Sequence, residues 1–388
     1  MEIETIKLRD FRNYPSLEMK PHPGVNLLFG QNGSGKTNLL EAIHYCALGK
    51  SHRTSQDKEV VRKGQAAAAV GVTVGKATGR HDIAVKLTPE GPRHKHIFLD
   101  QKRAPRISDM MGQLQCVIFS PEDLMLVKDG PAARRKFIDM LISQLYTPYF
   151  LALQQYQKAM EQRNALLRQV RKGSPMDKAM MSAFEKTMGE QGAVIHRYRQ
   201  RIIAKLAALG AEKYAAISGR GDETFRMSYR ACTEAEDFAS AAWAQLEKSR
   251  QEDSIRGFTS FGIHREEILL TLMGREMKLF ASQGQIRTAA LSMKLAQMAL
   301  FREISGEEPI LLLDDVMSEL DMTRRTRLLQ EISGGQTFVT CTDESDLDTC
   351  RDRRTYLVQL TPEGNATLTQ TNHGSVMEQA VPEEPSFD

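Results

Sequence analysis

The chain has 388 residues, 41% hydrophobic and 26% charged, with a formal net charge of +3; it is too long for a single small module and too apolar for a wholly disordered chain. Aromatic residues are only 6% while methionine reaches 19, a bias that favours an α/β or α architecture over a Tyr- and Trp-rich sandwich. Apolar runs such as Ala66–Val70 and Ile310–Leu313 stop at about five residues, against the roughly 18 needed to cross a bilayer.

Taken in chain order, Met1-Glu-Ile-Glu-Thr-Ile-Lys-Leu8 alternates charged and apolar residues and holds no signal-peptide core, so a cytoplasmic protein with no membrane partner is expected. Val25–Phe29 is a short apolar run, followed by Gly30-Gln-Asn-Gly-Ser-Gly-Lys-Thr37 and a helical stretch from Asn38 to Leu48 that Gly49 closes. Three β-leaning runs, Val70–Val74, Ile83–Leu87 and His96–Asp100, are separated by turn residues and are expected as an antiparallel patch beside that first strand. Cys116–Phe119 reads as a buried strand, and Ser120-Pro-Glu-Asp123 as the cap of the next element. From Pro131 to about Trp243 the pattern is helical, with Ile195, Tyr198, Ile202, Leu206 and Leu209 on one face and a break at Arg171-Lys-Gly-Ser-Pro175. Phe150 to Val170 would span only about 30 Å as a helix, too short for a long coiled-coil rod. Ile268–Met273 and Glu276–Phe280 read as a hairpin, Ser282-Gln-Gly-Gln285 opens a helix, and Ile310–Leu313 is a buried strand ending in Asp314 and Asp315. Thr337–Cys341 is one more strand, and residues 366–388 carry no apolar period.

Charge is distributed unevenly. Residues 151–215 carry 12 Lys/Arg against 5 Asp/Glu, whereas residues 301–388 carry 7 against 18. Such asymmetry suits an extended polyanion that meets one part of the molecule, and it equally suits solvated helices with basic outer faces. The five cysteines (Cys46, Cys116, Cys232, Cys341, Cys350) are scattered and never in C-x-x-C spacing, so neither a disulfide framework nor a zinc site is expected.

Gly30-x4-Gly35-Lys36-Thr37 matches the P-loop, and it lies between a strand and a helix as that motif requires. Backbone N–H groups of Gly30, Gln31, Asn32, Gly33, Ser34, Gly35 and Lys36 would wrap the phosphates of ATP at a helix N-terminus. Lys36 would reach the β/γ oxygens, and the Thr37 hydroxyl would ligate Mg²⁺. A P-loop needs an acid at the end of a neighbouring strand, and Asp314 supplies it 278 residues after Lys36. Asp315 is then the expected catalytic residue, placed for the attacking water. On their own, two adjacent acids ending a strand serve equally as a helix N-cap and its dipole partner.

Ser282-Gln-Gly-Gln285, 32 residues before Asp314, and Ser318-Glu-Leu-Asp321 just after it resemble in order the signature motif, Walker B strand and D-loop of ATP-binding-cassette ATPases. That resemblance implies an ATP-sandwich dimer in which Ser282 and Gly284 meet the nucleotide of the other subunit. The expected fold is therefore α/β, an ABC-type P-loop ATPase head with a mixed β-sheet (1–125 and 255–365), an inserted mainly helical lobe with short arms (126–254), and a mobile tail (366–388).

Seven blocks point further. Phe11-Arg-Asn-Tyr14, Gly30–Ile43 (with Asn38 following Thr37), Ser51-His-Arg53, Phe119-Ser-Pro-Glu-Asp-Leu124, Pro131–Asp139, Gly262-Ile-His-Arg265 and Ser282–Gln285, in that order, resemble the RecF family of bacterial recombination mediators across about residues 3 to 345. The resemblance implies ATP-dependent homodimerisation, binding of double-stranded or gapped DNA, slow DNA-stimulated ATP hydrolysis, Asn38 among the nucleotide-contacting residues, and action with RecR, RecO and RecA. The sequence departs from related patterns in places. Glu266-Glu267 stand where family members usually show Asp, Asp315 stands where transporter ATPases place Glu, Thr342 occupies the approximate place of a switch histidine, and no Q-loop glutamine is assigned. An SMC-like chromosome-organising ATPase would need much longer arms, and a transporter-coupled ATPase would lack the helical insertion. Arg134-Arg135-Lys136 suits either DNA phosphates or an ordinary helix surface, and His44 and His264 receive no role.

Overall fold

The computed structural model describes residues 1–90, 94–319, 322–332, 334–343, 353–372 and 375–376. Its charged-apolar alternation makes the start a strand, β1 (Glu2–Phe11), with Ile3, Ile6 and Leu8 buried. In chain order there follow β2 (Tyr14–Met19), β3 (Val25–Phe29), α1 (Lys36–Leu48), β4 (Ala68–Lys76), β5 (Gly79–Leu87), β6 (Lys95–Leu99), β7 (Lys102–Ala104) and β8 (Cys116–Phe119). The next elements are α2 (Met125–Lys128), α3 (Pro131–Leu145), α4 (Thr147–Arg171), α5 (Lys178–Ser218), β9 (Phe225–Arg230), α6 (Phe238–Lys248), α7 (Arg250–Arg256), β10 (Glu267–Leu272), β11 (Arg275–Glu276), α8 (Met277–Phe280) and α9 (Gln283–Ser305). The chain continues with β12 (Ile310–Asp314), α10 (Val316–Glu319), α11 (Met322–Glu331), β13 (Thr337–Cys341), β14 (Arg353–Leu360), β15 (Ala366–Asn372) and β16 (Ser375–Val376).

These elements form two compact units, Met1–Asp123 with the chain from Lys294 onward, and Leu124–Met293. The first holds two sheets. One is antiparallel, in the order β2-β1-β4-β5-β6-β7; the other runs β16-β15-β14-β3-β13-β12-β8, with β14, β3, β13, β12 and β8 parallel. Helix α1 packs against strands of both sheets, which is why it is buried from Leu39 to Leu48 on every side instead of along one stripe. The register places Phe29 level with Cys341 and Asp314 level with Thr340, so the carboxyl ends of β3, β13 and β12 form one edge, where α/β sheets bind ligands.

The second unit is mainly helical, with a small antiparallel sheet in the order β11-β10-β9. Helix α5 has 41 residues, about 60 Å at 1.5 Å per residue, twice the arm length expected from Phe150–Val170. Its face carries buried Ile195, Ile202 and Leu206.

Four expectations are corrected. The runs 70–74, 83–87 and 96–100 do not flank β3; β4 pairs with β1, and all three runs lie in the other sheet. The expected boundary at 254/255 falls inside the second unit, because β10 takes its ladder from β9. Glu276–Phe280 is not a hairpin strand: only Arg275 and Glu276 pair with β10 before a single helical turn. Residues 366–372 are not tail but β15, paired antiparallel with β14 from Ala366 to Thr371. The rest of the expected tail, apart from β16, lies outside the described residues.

Candidate nucleotide site

Strand β3 runs into a glycine loop that turns directly into α1. Gly30, Gly33 and Gly35 have φ of 144°, 81° and 118°, values that side chains rarely adopt. At Gly30 a Cβ would lie 2.2 Å from the Val358 carbonyl oxygen, and at Gly35 it would lie 2.8 Å from Asn13 Oδ1. Gln31, Asn32 and Gly33 are exposed, whereas Ser34, Gly35 and Lys36 are buried. The Lys36 ammonium donates to the carbonyls of Gly30 (2.6 Å) and Gln31 (2.9 Å). Burial pulls the lysine below its ordinary pKa, against the opposing pull of Cys341, Asp315 and Asp314. Among the described residues Ser34 Oγ is buried with no hydrogen-bond partner, an unmet hydrogen-bonding capacity beside the loop.

At the adjoining strand ends, Thr37 Oγ1 donates to Asp314 Oδ1 at 2.7 Å, and Thr340 Oγ1 donates to the same oxygen at 2.9 Å. Burial raises the Asp314 carboxyl above the usual carboxylate range, and these two hydrogen bonds oppose the rise. A hydroxyl and a carboxylate oxygen meeting beside a phosphate loop are the hard oxygen ligands that Mg²⁺ takes. Asp315 has a positive φ of 53°, and its N–H donates to Thr340 Oγ1 at 2.9 Å, so Thr340 ties both acids together. The residues thus fit a nucleotide triphosphate with its divalent cation: three left-handed glycines, an unpartnered buried hydroxyl, a buried ammonium and a Thr–Asp pair.

A shell of residues supports the loop. Arg12 grips the fully buried Glu41 through Nε (2.8 Å) and a terminal nitrogen (2.6 Å), Ser51 Oγ also donates to Glu41, and Arg53 bonds Asn38 Oδ1 at 2.9 Å. Burial works to raise the Glu41 carboxyl, but hydrogen bonds from Arg12 and Ser51 and the two guanidinium charges hold it below its usual range. The Phe11–Tyr14 and Ser51–Arg53 blocks therefore belong to this site. In the Phe119–Asp123 block, Asp123 pairs with Lys294 at 2.8 Å, and Lys294 also donates to the Ile118 carbonyl.

Ser282 and Gly284 lie in the second unit, at the start of α9. Ser282 is exposed and forms a capping box: Gln285 N–H donates to Ser282 Oγ (3.3 Å), and Ser282 N–H donates to Gln285 Oε1 (2.8 Å). Gln285 Nε2 also donates to Glu223 at 3.0 Å. Of the expected D-loop, Ser318 and Glu319 lie on α10, while Leu320 and Asp321 are outside the described residues. Thr342 is exposed just past β13.

Other motif residues prove to be internal supports. Arg134 is buried and donates to the carbonyls of Leu126 and Asp129; Arg135 donates to that of Glu266; Lys136 is exposed. Glu266 is buried against Arg199 (2.8 Å) and Tyr229. His264 bonds Tyr156 and the Thr259 carbonyl, and burial lowers its pKa to about 4. His44 packs edge-on to His52, whose ring nitrogens are buried without hydrogen-bond partners among the described residues and whose pKa burial likewise lowers to about 4.

The model of the RecF/RecN/SMC N-terminal domain matches residues 2–366. A protein of Listeria innocua named DNA replication and repair protein RecF is 39% identical over 367 residues, covering 92% of this chain and 98% of the relative. The chain belongs to the RecF family of DNA replication and repair proteins. The RecF protein of Clostridium kluyveri is 36% identical over 348 residues, 89% of this chain and 94% of its own. A solved structure described as the recombination mediator protein RecF-ATPrS in the RecFOR pathway superposes with a TM-score of 0.85 at 31% identity, covering 94% of this chain and 97% of that one. An Smc head domain from Pyrococcus furiosus, at 17% identity and a TM-score of 0.55, shares the fold. Family and fold together make the chain an ABC/SMC-type P-loop ATPase. Among the described residues no helix is long and apolar enough to cross a membrane.

Proposed function

We propose that the chain is an ATP-dependent DNA-binding protein of recombinational repair and replication restart, which dimerises on ATP and helps load the recombinase at gapped DNA. The observation that carries this reading is the glycine loop with its buried Lys36 and the Thr37–Asp314 pair, in a chain whose relatives include a RecF solved with ATP. Lys36 leaves the two loop carbonyls to meet the β/γ-phosphate oxygens, and the N–H groups of the loop from Gly30 to Lys36 enclose the phosphates. Thr37 and Asp314 hold Mg²⁺, and Asn38 completes the nucleotide contacts. Bound there, Mg²⁺ neutralises charge on the phosphates. Asp315, held by Thr340, orients the attacking water, and its short side chain suits slow hydrolysis used as a switch.

Ser282 and Gly284 contribute from a second copy. An exposed serine at the positive end of a 23-residue helix is suited to an anion, and a two-fold axis lets each copy offer it to the other's nucleotide. The γ-phosphate is what distinguishes ATP from ADP, so dimerisation follows the nucleotide state. DNA, double-stranded or gapped, is the polyanion that this clamp holds, and RecR, RecO and RecA are the partners in the pathway.

Light scattering with Mg-ATP and with Mg-ADP tests this. The wild-type mass doubles with ATP only, and Ser282→Arg binds ATP as a monomer without doubling. If Ser282→Arg dimerises on ATP as the wild type does, the nucleotide acts within a single subunit and the clamp reading fails.

A further inference from the structure

The turn between β1 and β2 reaches the glycine loop. Asn13 Nδ2 donates to the Ser34 carbonyl at 3.1 Å, while Asn13 Oδ1 accepts from Asn38 Nδ2 at 2.8 Å. The next residue, fully buried Tyr14, donates its hydroxyl to the Gly35 carbonyl at 3.2 Å. In a trans peptide the N–H points opposite to the preceding carbonyl in one rigid plane. Holding the Ser34 carbonyl therefore fixes where the Gly35 N–H points, and holding the Gly35 carbonyl does the same for the Lys36 N–H. Both N–H groups lie at the junction of loop and helix, among those assigned above to the phosphates.

We propose that Asn13 is a positioning residue for phosphate binding: with Tyr14 it sets two successive peptide planes of the glycine loop before any ligand arrives. The inference rests on the nucleotide reading above and extends it to a residue outside the glycine loop. The turn is built to be rigid. Asp10 and Arg12 hold positive φ values of 48° and 55°, a strained conformation that persists only where surrounding bonds enforce it. Here Arg12 N–H donates to the Val60 carbonyl (2.7 Å), the Arg12 guanidinium to Glu41 and the Glu59 carbonyl, and Ala366 N–H to the Asn13 carbonyl (2.7 Å). Packing leaves no slack either, since a Cβ at Gly35 would stand 2.8 Å and 3.0 Å from the two amide heavy atoms of Asn13. The Asn38 amide joins the same chain, donating to Asn13 while accepting from Arg53.

The test is competition against a fluorescent ATP analogue, with Mg-ATP and with inorganic tripolyphosphate as competitors, on wild type, Asn13→Ala, Asn13→Asp and Tyr14→Phe. Asn13→Ala should weaken both competitors by the same factor, about fivefold to tenfold for one lost orienting hydrogen bond, because the defect lies in the phosphate cradle and not at the base or ribose. Asn13→Asp should weaken them at least as much, since its carboxylate faces the Ser34 carbonyl without a proton to donate. Tyr14→Phe, which keeps the ring packing, should weaken them about threefold. Thermal unfolding without nucleotide accompanies each variant; if Asn13→Ala does not fold, Asn13→Asp and Tyr14→Phe decide. Folded variants that bind both competitors as tightly as the wild type, or that lose ATP but keep tripolyphosphate, overturn the role of Asn13. A wild type that binds neither competitor overturns the nucleotide reading itself, a separate outcome.

Discussion

In the second unit Arg163 is fully buried and met on all three nitrogens: they bond Glu185 (3.1 Å), Asp253 (2.7 Å), Thr259 (2.9 Å) and the Leu246 carbonyl (2.9 Å), and Arg250 takes the far oxygen of Glu185 at 2.5 Å. Arg199 is held likewise by Asp139, Glu266 and the Ile263 carbonyl, each at 2.8 Å. In the first unit Lys36 is buried too, yet among the described residues it hydrogen-bonds only two neutral carbonyls while Asp314 and Asp315 act on it through charge alone, and beside it Ser34 Oγ has no hydrogen-bond partner among those residues while the Asp314 carboxyl is raised by burial. The difference separates two uses of buried charge. Where acids and carbonyls answer a cation in full, the charge specifies a packed structure; where the answer is incomplete and the gaps converge on one loop, the site is completed by a ligand.

This contrast is broken most severely at Arg163. Arg163→Met leaves Asp253 and Glu185 short of a partner in a dry interior and should cost about 3–5 kcal/mol of stability in urea unfolding, with nucleotide affinity of the folded protein unchanged. A cost below about 1 kcal/mol would mean that the network is not holding the second unit together.

A smaller effect sharpens the comparison through pH. His52 in the first unit and His264 in the second both have pKa values lowered by burial to about 4, against about 6.5 unfolded. Between these values the unfolded chain binds more protons, so stability is complete above pH 6.5 and falls as the pH drops toward 4. Lowering the pH from 7.5 to 5.5 should cost on the order of 1 kcal/mol per histidine, and His52→Phe should flatten the slope. An unchanged slope would show that His52 is not held neutral.

Much of this was legible in the sequence for specific reasons. The glycine loop combines spacing, strand and helix within a dozen residues, so Gly30 to Thr37 stood out as a phosphate-loop candidate, with Asp314 as the acid ending another apolar strand, whereas Asn38 entered only through the family resemblance. Thr340 escaped because one hydroxyl ending an apolar strand gives no spacing signal, and its role depends on the Asp314–Thr340 register. The alternation of Met1 to Leu8 was read only as the lack of a signal peptide, although period two is a strand pattern; the second sheet was misplaced in consequence. Glu41, inside an otherwise apolar helix face, was the one visible hint of a buried network, but its partners Arg12 and Arg53 are distant in sequence. The Arg134-Arg135 pair reads the same whether it faces phosphates or main-chain carbonyls, and only packing distinguishes the two.

Whether the incompletely answered charge at Lys36 belongs to a nucleotide is decided by calorimetric titration of Mg-ATP into wild type and Lys36→Ala, with urea unfolding of both ligand-free proteins. Among the described residues Lys36→Ala gives up two carbonyl hydrogen bonds, so ligand-free stability should stay within about 1 kcal/mol of wild type while ATP affinity falls at least about 100-fold. Wild-type affinity for ATP in Lys36→Ala, or a loss of ligand-free stability as large as that expected of Arg163→Met, would contradict the assignment of Lys36 to a nucleotide.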